Sequence, residues 1–359
     1  MNQDVILVAP SLDPNITLGG VSSVARFIVS NNKEVHYIHF EQGSRDNAKG
    51  GVYRVARVFQ RYREWKKLIK ESKGCLIHYN FDLSPFSILR DYPFMRYARK
   101  KGCGLLIHVH GGIFMNSSSV PFPYNAILKR IFSWKGIPFV VFSSKEKNTL
   151  VSRYGTRNIH VLPNCVDIPS LEKRKAVDDT LKIGYFGRIS EAKGMQELLK
   201  ATVRLKEKHV RFILSFAGKK EAPVDFVDLY VKALGDNFRY DGIVSGQQKD
   251  EFLRGLDVFV MPSYFEGLPI SLLESMSYGI VPVVTAVGSI PDVVSDGGNG
   301  LIVKDHDVDS IIAAIEKLNR DKQLVAILGD AARKTITERF NPQTYVETLN
   351  GIYNRIEIK

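Results

Sequence analysis

The chain has 359 residues, more than one hydrophobic core comfortably serves, which predicts two domains of about 150–200 residues each. Apolar residues make up 44% and charged residues 25%, with 28 Gly and 15 Pro, a composition that excludes disordered, collagenous and coiled-coil chains. The net charge of +12 is unevenly spread: residues 1–170 carry 24 Lys and Arg against 11 Asp and Glu, and residues 171–359 carry 26 against 27, so the first half is expected to meet something anionic.

In chain order, Val5–Pro10 reads as a first strand, without the basic n-region and long apolar h-region of a signal peptide. No apolar run approaches the about 18–20 residues of a membrane span, and a cytoplasmic protein is expected. Further strands are predicted at 35–40, 76–79, 105–110, 138–144 and 159–163, with helical patterns between them. Such near-continuous apolar runs suit strands covered on both faces, hence a parallel sheet with crossover helices. Residues 52–72 form a basic amphipathic segment in which Val52, Val55, Phe59, Tyr62, Trp65 and Ile69 recur at helical spacing. Its cations (Arg54, Arg57, Arg61, Arg63, Lys66, Lys67 and Lys70) suit an anionic membrane surface, while the apolar stripe itself reads as the core-facing side of a domain helix. No stacking-aromatic module or recognition motif accompanies the charge, so nucleic acid is not an expected partner. Cys75, Cys103 and Cys165 are far apart in the chain with no CxxC, which predicts neither a disulfide framework nor a zinc site.

Residues 169–180 are polar without apolar period and read as a linker. Beyond it, strands are predicted at 182–187, 211–217, 238–241, 258–262, 281–285 and 301–303. Two doubly wound domains would place ligands at the carboxyl ends of their strands. No GxGxxG or GxxxxGK[ST] follows any strand, which argues against a dinucleotide or P-loop site. Strand 182–187 runs into Gly187-Arg188 and, five residues later, Lys193-Gly194. Arg suits a bidentate grip on a diphosphate and Lys a mobile charge beside it. Strand 258–262 runs into Glu266-Gly267-Leu268-Pro269-Ile270, with Pro269 suited to a helix start, Glu274 within the helix and Gly279 closing it. The amides of that helix start favour a phosphate, and the two carboxylates can accept sugar hydroxyls. The alternative for Glu266 and Glu274 is a cap and a solvated helix face. Asp305-His306-Asp307 contains a D-x-D, but its position at a helix start assigns the acids to the helix N-terminus, and no metal is expected.

These motifs resemble those of the GT-B-fold retaining glycosyltransferases of family 4, the glycosyl transferases group 1. The matching pieces are Pro163-Asn164-Cys165-Val166-Asp167, Gly187-Arg188 with Lys193-Gly194, Phe216-Ala217-Gly218, and Pro262-Ser263 with Glu266-Gly267-Leu268-Pro269 and Glu274. Gly288-Ser289-Ile290-Pro291-Asp292 and Asn299-Gly300-Leu301-Ile302-Val303 continue the series. The first half resembles the family more loosely, at Gly19-Gly20-Val21 and His110-Gly111. Cys165 and Asp292 depart from the family's usual Gly and Glu.

The resemblance implies two Rossmann-like domains facing across a cleft, residues 1–168 for the acceptor and 169–341 for the nucleotide sugar, with a C-terminal helix at about 342–359 packing back on the first domain. It implies transfer of a hexose-type sugar, with retention, from a nucleotide-diphosphate sugar to a saccharide or lipid-linked saccharide acceptor in cell-surface polysaccharide or glycan synthesis. A UDP-sugar is favoured as donor, and neither cofactor nor metal is expected. Arg188 and Lys193 would bind the diphosphate, Glu274 the ribose and Glu266 the donor sugar; Gly19-Gly20 would approach the phosphate, and His110 the anomeric centre. His78 and His108 stand evenly between a substrate role and strand-end positions. Two other readings stay open: a nucleotide-sugar epimerase of the same fold, and a non-catalytic glycosyltransferase-like subunit.

Overall fold

The computed structural model describes residues 4–13, 16, 19–43, 52–72, 74–170 and 178–358, with 52–54 and 116 described by their backbone alone. The chain divides into two compact units: unit 1 is Met1–Asn164 with Pro342–Lys359, and unit 2 is Cys165–Asn341. Most of the expected linker, 171–177, lies outside the described residues.

Unit 1 contains strands β1 (Asp4–Ala9), β2 (His36–Glu41), β3 (Leu76–Phe81), β4 (Gly104–Val109), β5 (Phe139–Val141) and β6 (Ile159–Val161). They form one parallel sheet in the order β2-β1-β3-β4-β5-β6. Its helices are α1 (Gly20–Asn31), α2 (Val52–Glu71), α3 (Pro85–Lys100), α4 (Ile113–Asn116), α5 (Tyr124–Phe132) and α6 (Ser144–Tyr154). Because side chains alternate along a strand, each strand serves two faces. Ile6, Val8, Ile77, Tyr79, Ile107 and Val109 meet Trp65 of α2, Phe94 of α3 and Leu128 of α5 in one continuous core. Leu7 and Ala9 point the other way, onto Ala25 of α1.

Unit 2 contains β7 (Leu181–Phe186), β8 (Phe212–Ala217), β9 (Phe238–Tyr240), β10 (Val258–Met261), β11 (Val281–Thr285) and β12 (Leu301–Val303). Their parallel order is β12-β11-β10-β7-β8-β9. The helices are α7 (Met195–Glu207), α8 (Phe226–Leu234), α9 (Gly246–Arg254), α10 (Ile270–Ser277), α11 (Val308–Arg320) and α12 (Lys322–Arg339). The chain then enters α13 (Pro342–Tyr353), which belongs to unit 1: Tyr345 packs edge-on against Phe27 of α1 at 5.5 Å, and Asn350 accepts a hydrogen bond from Asn32 at 2.7 Å. In unit 2 the strand order reverses between β7 and β10, the kind of switch point at which the loops beyond adjacent strands diverge and leave room for a ligand.

All twelve predicted strands are present, most within a residue or two of their expected ends. Two readings change. Cys75 and Cys103 are distant only along the chain: they precede neighbouring parallel strands, Gly104 N–H donates to the Cys75 carbonyl, and the two free thiols lie 3.3 Å apart. The apolar stripe of residues 52–72 is divided: Trp65 and Ile69 are buried, whereas Val55 and Phe59, 53% and 68% exposed, are not.

Candidate functional site

The site candidates of unit 2 sit on loops fixed by backbone-to-backbone packing. After β7 the chain passes through Gly187 and Arg188, makes a single 3₁₀ turn at Glu191–Lys193, and turns again at Gly194 before α7. Gly194 has φ +72°, and a Cβ there would run into the Pro262 carbonyl beyond β10. Tyr264 N–H donates to the Ala192 carbonyl at 3.0 Å, joining the same two loops. Gly288 repeats the device at φ +57°, where a Cβ would strike the Glu266 carbonyl, and Ser289 N–H donates to Gly267. Only glycine combines that backbone conformation with such close approach.

Within this frame Lys193 Nζ lies 2.6 Å from Glu266 Oε1, the two side chains being 17% and 10% exposed. Arg188 is more open and pairs through Nη1 with Glu221 Oε1 at 3.1 Å. Its carbonyl accepts from the buried Tyr185 hydroxyl at 2.6 Å. Burial, with the charge of Glu266 adding to it, holds that hydroxyl well above the ordinary tyrosine range. α10 begins immediately after Pro269, which caps the helix rather than occupying its first turn. Its first intrahelical bond runs from Leu273 N–H to the Pro269 carbonyl, so the N–H groups of Ile270, Ser271 and Leu272 have no acceptor inside the helix. The far end closes as expected at Gly279, φ +74°, with Gly279 and Ile280 donating back to Met276 and Ser275. Glu274 points from the middle of α10 to Lys249 of α9, with Nζ and Oε1 2.5 Å apart.

A cavity of about 450 Å³ adjoins the Arg188 loop, lined by Ser190, Glu191, Glu221, Pro223, Phe226 and Tyr264 among others. Beside it the Tyr264 hydroxyl donates to Glu197, and the Tyr264 ring stacks on His306 at 4.0 Å. Burial and the Glu197 hydrogen bond push the Tyr264 hydroxyl up. Asp307 caps α11 by accepting from Ser310 N–H at 3.1 Å, and Asp309 pairs with Arg204 at 2.7 Å, so both are engaged in helix-end and surface contacts.

The remaining candidates lie in unit 1. Gly19 caps α1 with its carbonyl accepting from Ser23 N–H, and a Cβ on Gly20 would meet nothing within 4 Å. His110 follows β4, and its Nε2 lies 2.6 Å from Asn80 Oδ1. Asn80 in turn donates through Nδ2 to the Val8 carbonyl at 2.9 Å. That bond fixes Oδ1 as the acceptor, so His110 carries its proton on Nε2 and presents Nδ1 as acceptor. His78 is the third residue of β3 and His108 the last but one of β4. Both are fully buried within β3 and β4, His78 between the Tyr353 hydroxyl at 2.6 Å and His108 Nδ1 at 3.2 Å. The His108 and His110 rings stand 4.4 Å apart. Burial holds all three imidazoles below the ordinary histidine range, His108 at about 3, so each is neutral near pH 7.

The structure therefore joins Lys193 to Glu266 at the switch point, gives Arg188 and Glu274 partners of their own, and places Gly19, Gly20 and His110 in unit 1. Sequence reading missed Glu221, Lys249 and Asn80. Only Asn80 carried a signal, since it shares a strand face with His78 two residues earlier.

Residues 168–335, nearly all of unit 2, match the family described as Glycosyl transferases group 1. Over 278 residues the chain is 26% identical to an uncharacterized glycosyltransferase of Methanocaldococcus jannaschii, covering 73% of this chain and 70% of that protein. Over 216 residues it is 29% identical to the capsular polysaccharide biosynthesis glycosyltransferase CapM of Staphylococcus aureus, covering 59% and 56%. The chain thus spans only part of the relatives it matches, little more than half of CapM. Among solved structures, the sucrose-phosphate synthase of Thermosynechococcus elongatus superposes with a TM-score of 0.81 at 18% identity, covering 99% of both chains. Anabaena HepE in complex with UDP-glucose gives 0.74 at 15%, covering 99% and 100%. With the two parallel sheets, these likenesses give the two-domain α/β GT-B fold, and the relatives support a glycosyltransferase.

Proposed function

We propose that this chain, whose second unit matches the group 1 glycosyltransferases, is a retaining enzyme of family 4 type that takes a hexose-type sugar from a nucleotide-diphosphate sugar, with UDP favoured. The acceptor is a saccharide or lipid-linked saccharide of a cell-surface polysaccharide or glycan. The observation that carries the reading is the Lys193–Glu266 pair at the mouth of α10, on the strands where the order of the second sheet reverses. The CapM likeness supports a polysaccharide product.

Departure of the diphosphate is the costly event, because its negative charge grows as the sugar becomes oxocarbenium-like. Lys193, Arg188 and the first amides of α10 are assigned to stabilising that charge, and fixed donors of this kind are commonly the largest catalytic contribution. Both cations rest on carboxylates, Lys193 on Glu266 and Arg188 on Glu221, which an incoming diphosphate would displace. Glu266, released from Lys193, accepts donor-sugar hydroxyls, and Glu274 accepts those of the ribose. Gly19, Gly20 and His110 are assigned to the donor on resemblance alone. With these groups supplying the charge, no step is assigned to a metal. Retention follows if the acceptor attacks the face that the diphosphate leaves, a diphosphate oxygen taking its proton.

A thermal-melting panel of UDP-, GDP- and ADP-sugars tests the reading. The matching donor at about a hundredfold excess over its Kd should stabilise the protein by about 2.7 kcal/mol. For domains of this size that corresponds to a rise of about 5 °C or more. If none of the three classes shifts the midpoint, the proposal fails.

The outer faces of α2, α3 and α5 expose Arg63, Lys66, Lys67, Lys70, Arg96, Arg99, Lys100, Lys129 and Arg130, with Val55 and Phe59 also exposed on α2. Among the described residues no helix is long and apolar enough to cross a membrane. A cytoplasmic enzyme held at the inner face of the membrane by this layer is the corresponding part of the proposal, each cation near an anionic surface contributing about 1 kcal/mol. Flotation with phosphatidylserine-containing liposomes should recover the protein at low salt and lose it at high salt. Absence of binding at both removes the membrane part and leaves the transferase reading standing.

A further inference from the structure

We infer that Lys249 is a positioning residue for ribose recognition: it holds one oxygen of Glu274 so that the other meets the hydroxyls of the donor ribose. The inference rests on the reading above that Glu274 receives the ribose. Lys249 lies in the first turn of α9, and among the described residues it is the side chain hydrogen-bonded to Glu274, with Nζ to Oε1 at 2.5 Å. The next residue, Asp250, accepts from the Tyr278 hydroxyl at 2.7 Å and from Arg254 Nε at 2.6 Å. Consecutive residues of α9 thus grip Glu274 on α10 and Tyr278, the residue that ends it, four positions on. That double attachment fixes both the helix and the carboxylate it carries.

The pair is placed to serve a ligand. Lys249 and Glu274 are 30% and 20% exposed, open enough for a nucleotide to reach. An ion pair of this kind adds little to stability on its own. A carboxylate already held in one rotamer, however, removes the ordering cost that a mobile side chain would incur on binding. A carboxylate has two oxygens and room for several donors, so Oε1 can stay with Lys249 while Oε2 accepts from the ribose. Arginine can replace lysine in this role because it also donates to a carboxylate; methionine keeps the apolar stem and removes the donor.

The test is the preference for ribose over deoxyribose, measured by calorimetry on the full chain with UDP and dUDP, GDP and dGDP, and ADP and dADP. With the base that the wild-type protein binds, the ribonucleotide is expected to bind about tenfold or more tightly, as for hydrogen bonds to a charged group. Glu274→Ala should bring the ratio near one. Lys249→Met should reduce it by about three- to tenfold, the gain from ordering the carboxylate in advance. Lys249→Arg should restore it, with donor KM raised and kcat nearly unchanged in the methionine variant. A ratio in Lys249→Met within twofold of wild type, with Glu274→Ala still abolishing the preference, overturns the role of Lys249 alone. An unchanged ratio in Glu274→Ala, or a wild-type chain that binds none of the six diphosphates, overturns the donor reading and this inference with it.

Discussion

Lys193→Met is expected to lower turnover by about 10²–10³-fold, the usual cost of removing one fixed donor from a developing oxyanion. The same substitution leaves the Glu266 carboxylate, 10% exposed, without its cation, so a fall in stability accompanies the fall in rate. Removing one partner of a buried ion pair costs on the order of 3–5 kcal/mol. The two effects separate in the double variant Lys193→Met with Glu266→Gln. Replacing the carboxylate by an amide removes the uncompensated charge and should restore most of the melting temperature. It cannot restore a positive charge to the leaving group, so turnover stays well below that of the single Glu266→Gln variant, which carries the loss of the sugar contact alone. Initial rates on the donor identified by melting, beside the melting curves themselves, provide the measurement. Recovery of both quantities in the double variant would make Lys193 a structural residue and remove the main support of the mechanism.

The second large effect is on unit 1. His78, His108 and His110 are held below the ordinary histidine value chiefly by burial, with neighbouring imidazole charge adding to the effect on His78 and His110. In the unfolded chain each binds a proton near pH 6.5. Because the folded values are depressed, the stability linked to these groups is fully present above pH 6.5 and is lost as pH falls toward the folded values. With three groups the loss should reach about 4 kcal/mol by pH 5.5, a large part of the about 5–15 kcal/mol that holds an ordinary domain together. Carboxylates whose values are lowered, such as Glu64 and Asp250, act at lower pH, whereas His160, also lowered by burial, adds to the loss in this window and Asp82, raised by burial, opposes it. Urea unfolding followed at pH 7.5, 6.5 and 5.5 reads the slope, and His108→Leu should remove about a third of it. A stability that stays level across this range rules out three neutral imidazoles in the folded protein.

The fold was legible because parallel strands covered on both faces are nearly continuous apolar runs, as in Val5–Ala9, Leu105–Ile107 and Val258–Met261. The α10 segment was legible because proline at its start and glycine past its end each have a local physical reason. The partners were not. Glu221 lies 33 residues from Arg188, Lys249 25 from Glu274 and Glu266 73 from Lys193. Only the strand order brings these side chains together, and no local period encodes that. The histidine tract shows the same limit: alternation puts His78 with Asn80, and His108 with His110, on one face each, but the neighbouring of β3 and β4 merges the two pairs. Cys75 and Cys103 become neighbours through that same pairing.

Gly194 against Pro262, Gly218 against Gly187 and Gly288 against Glu266 are three places where main chain rests on main chain with no room for a methyl group. Loops interlocked in this way keep their relative heights whatever side chains they display. Exposed side chains on these loops, Arg188 among them, are therefore open to exchange with the loop paths unchanged, while any change of loop length at these three crossings would disturb every neighbour at once.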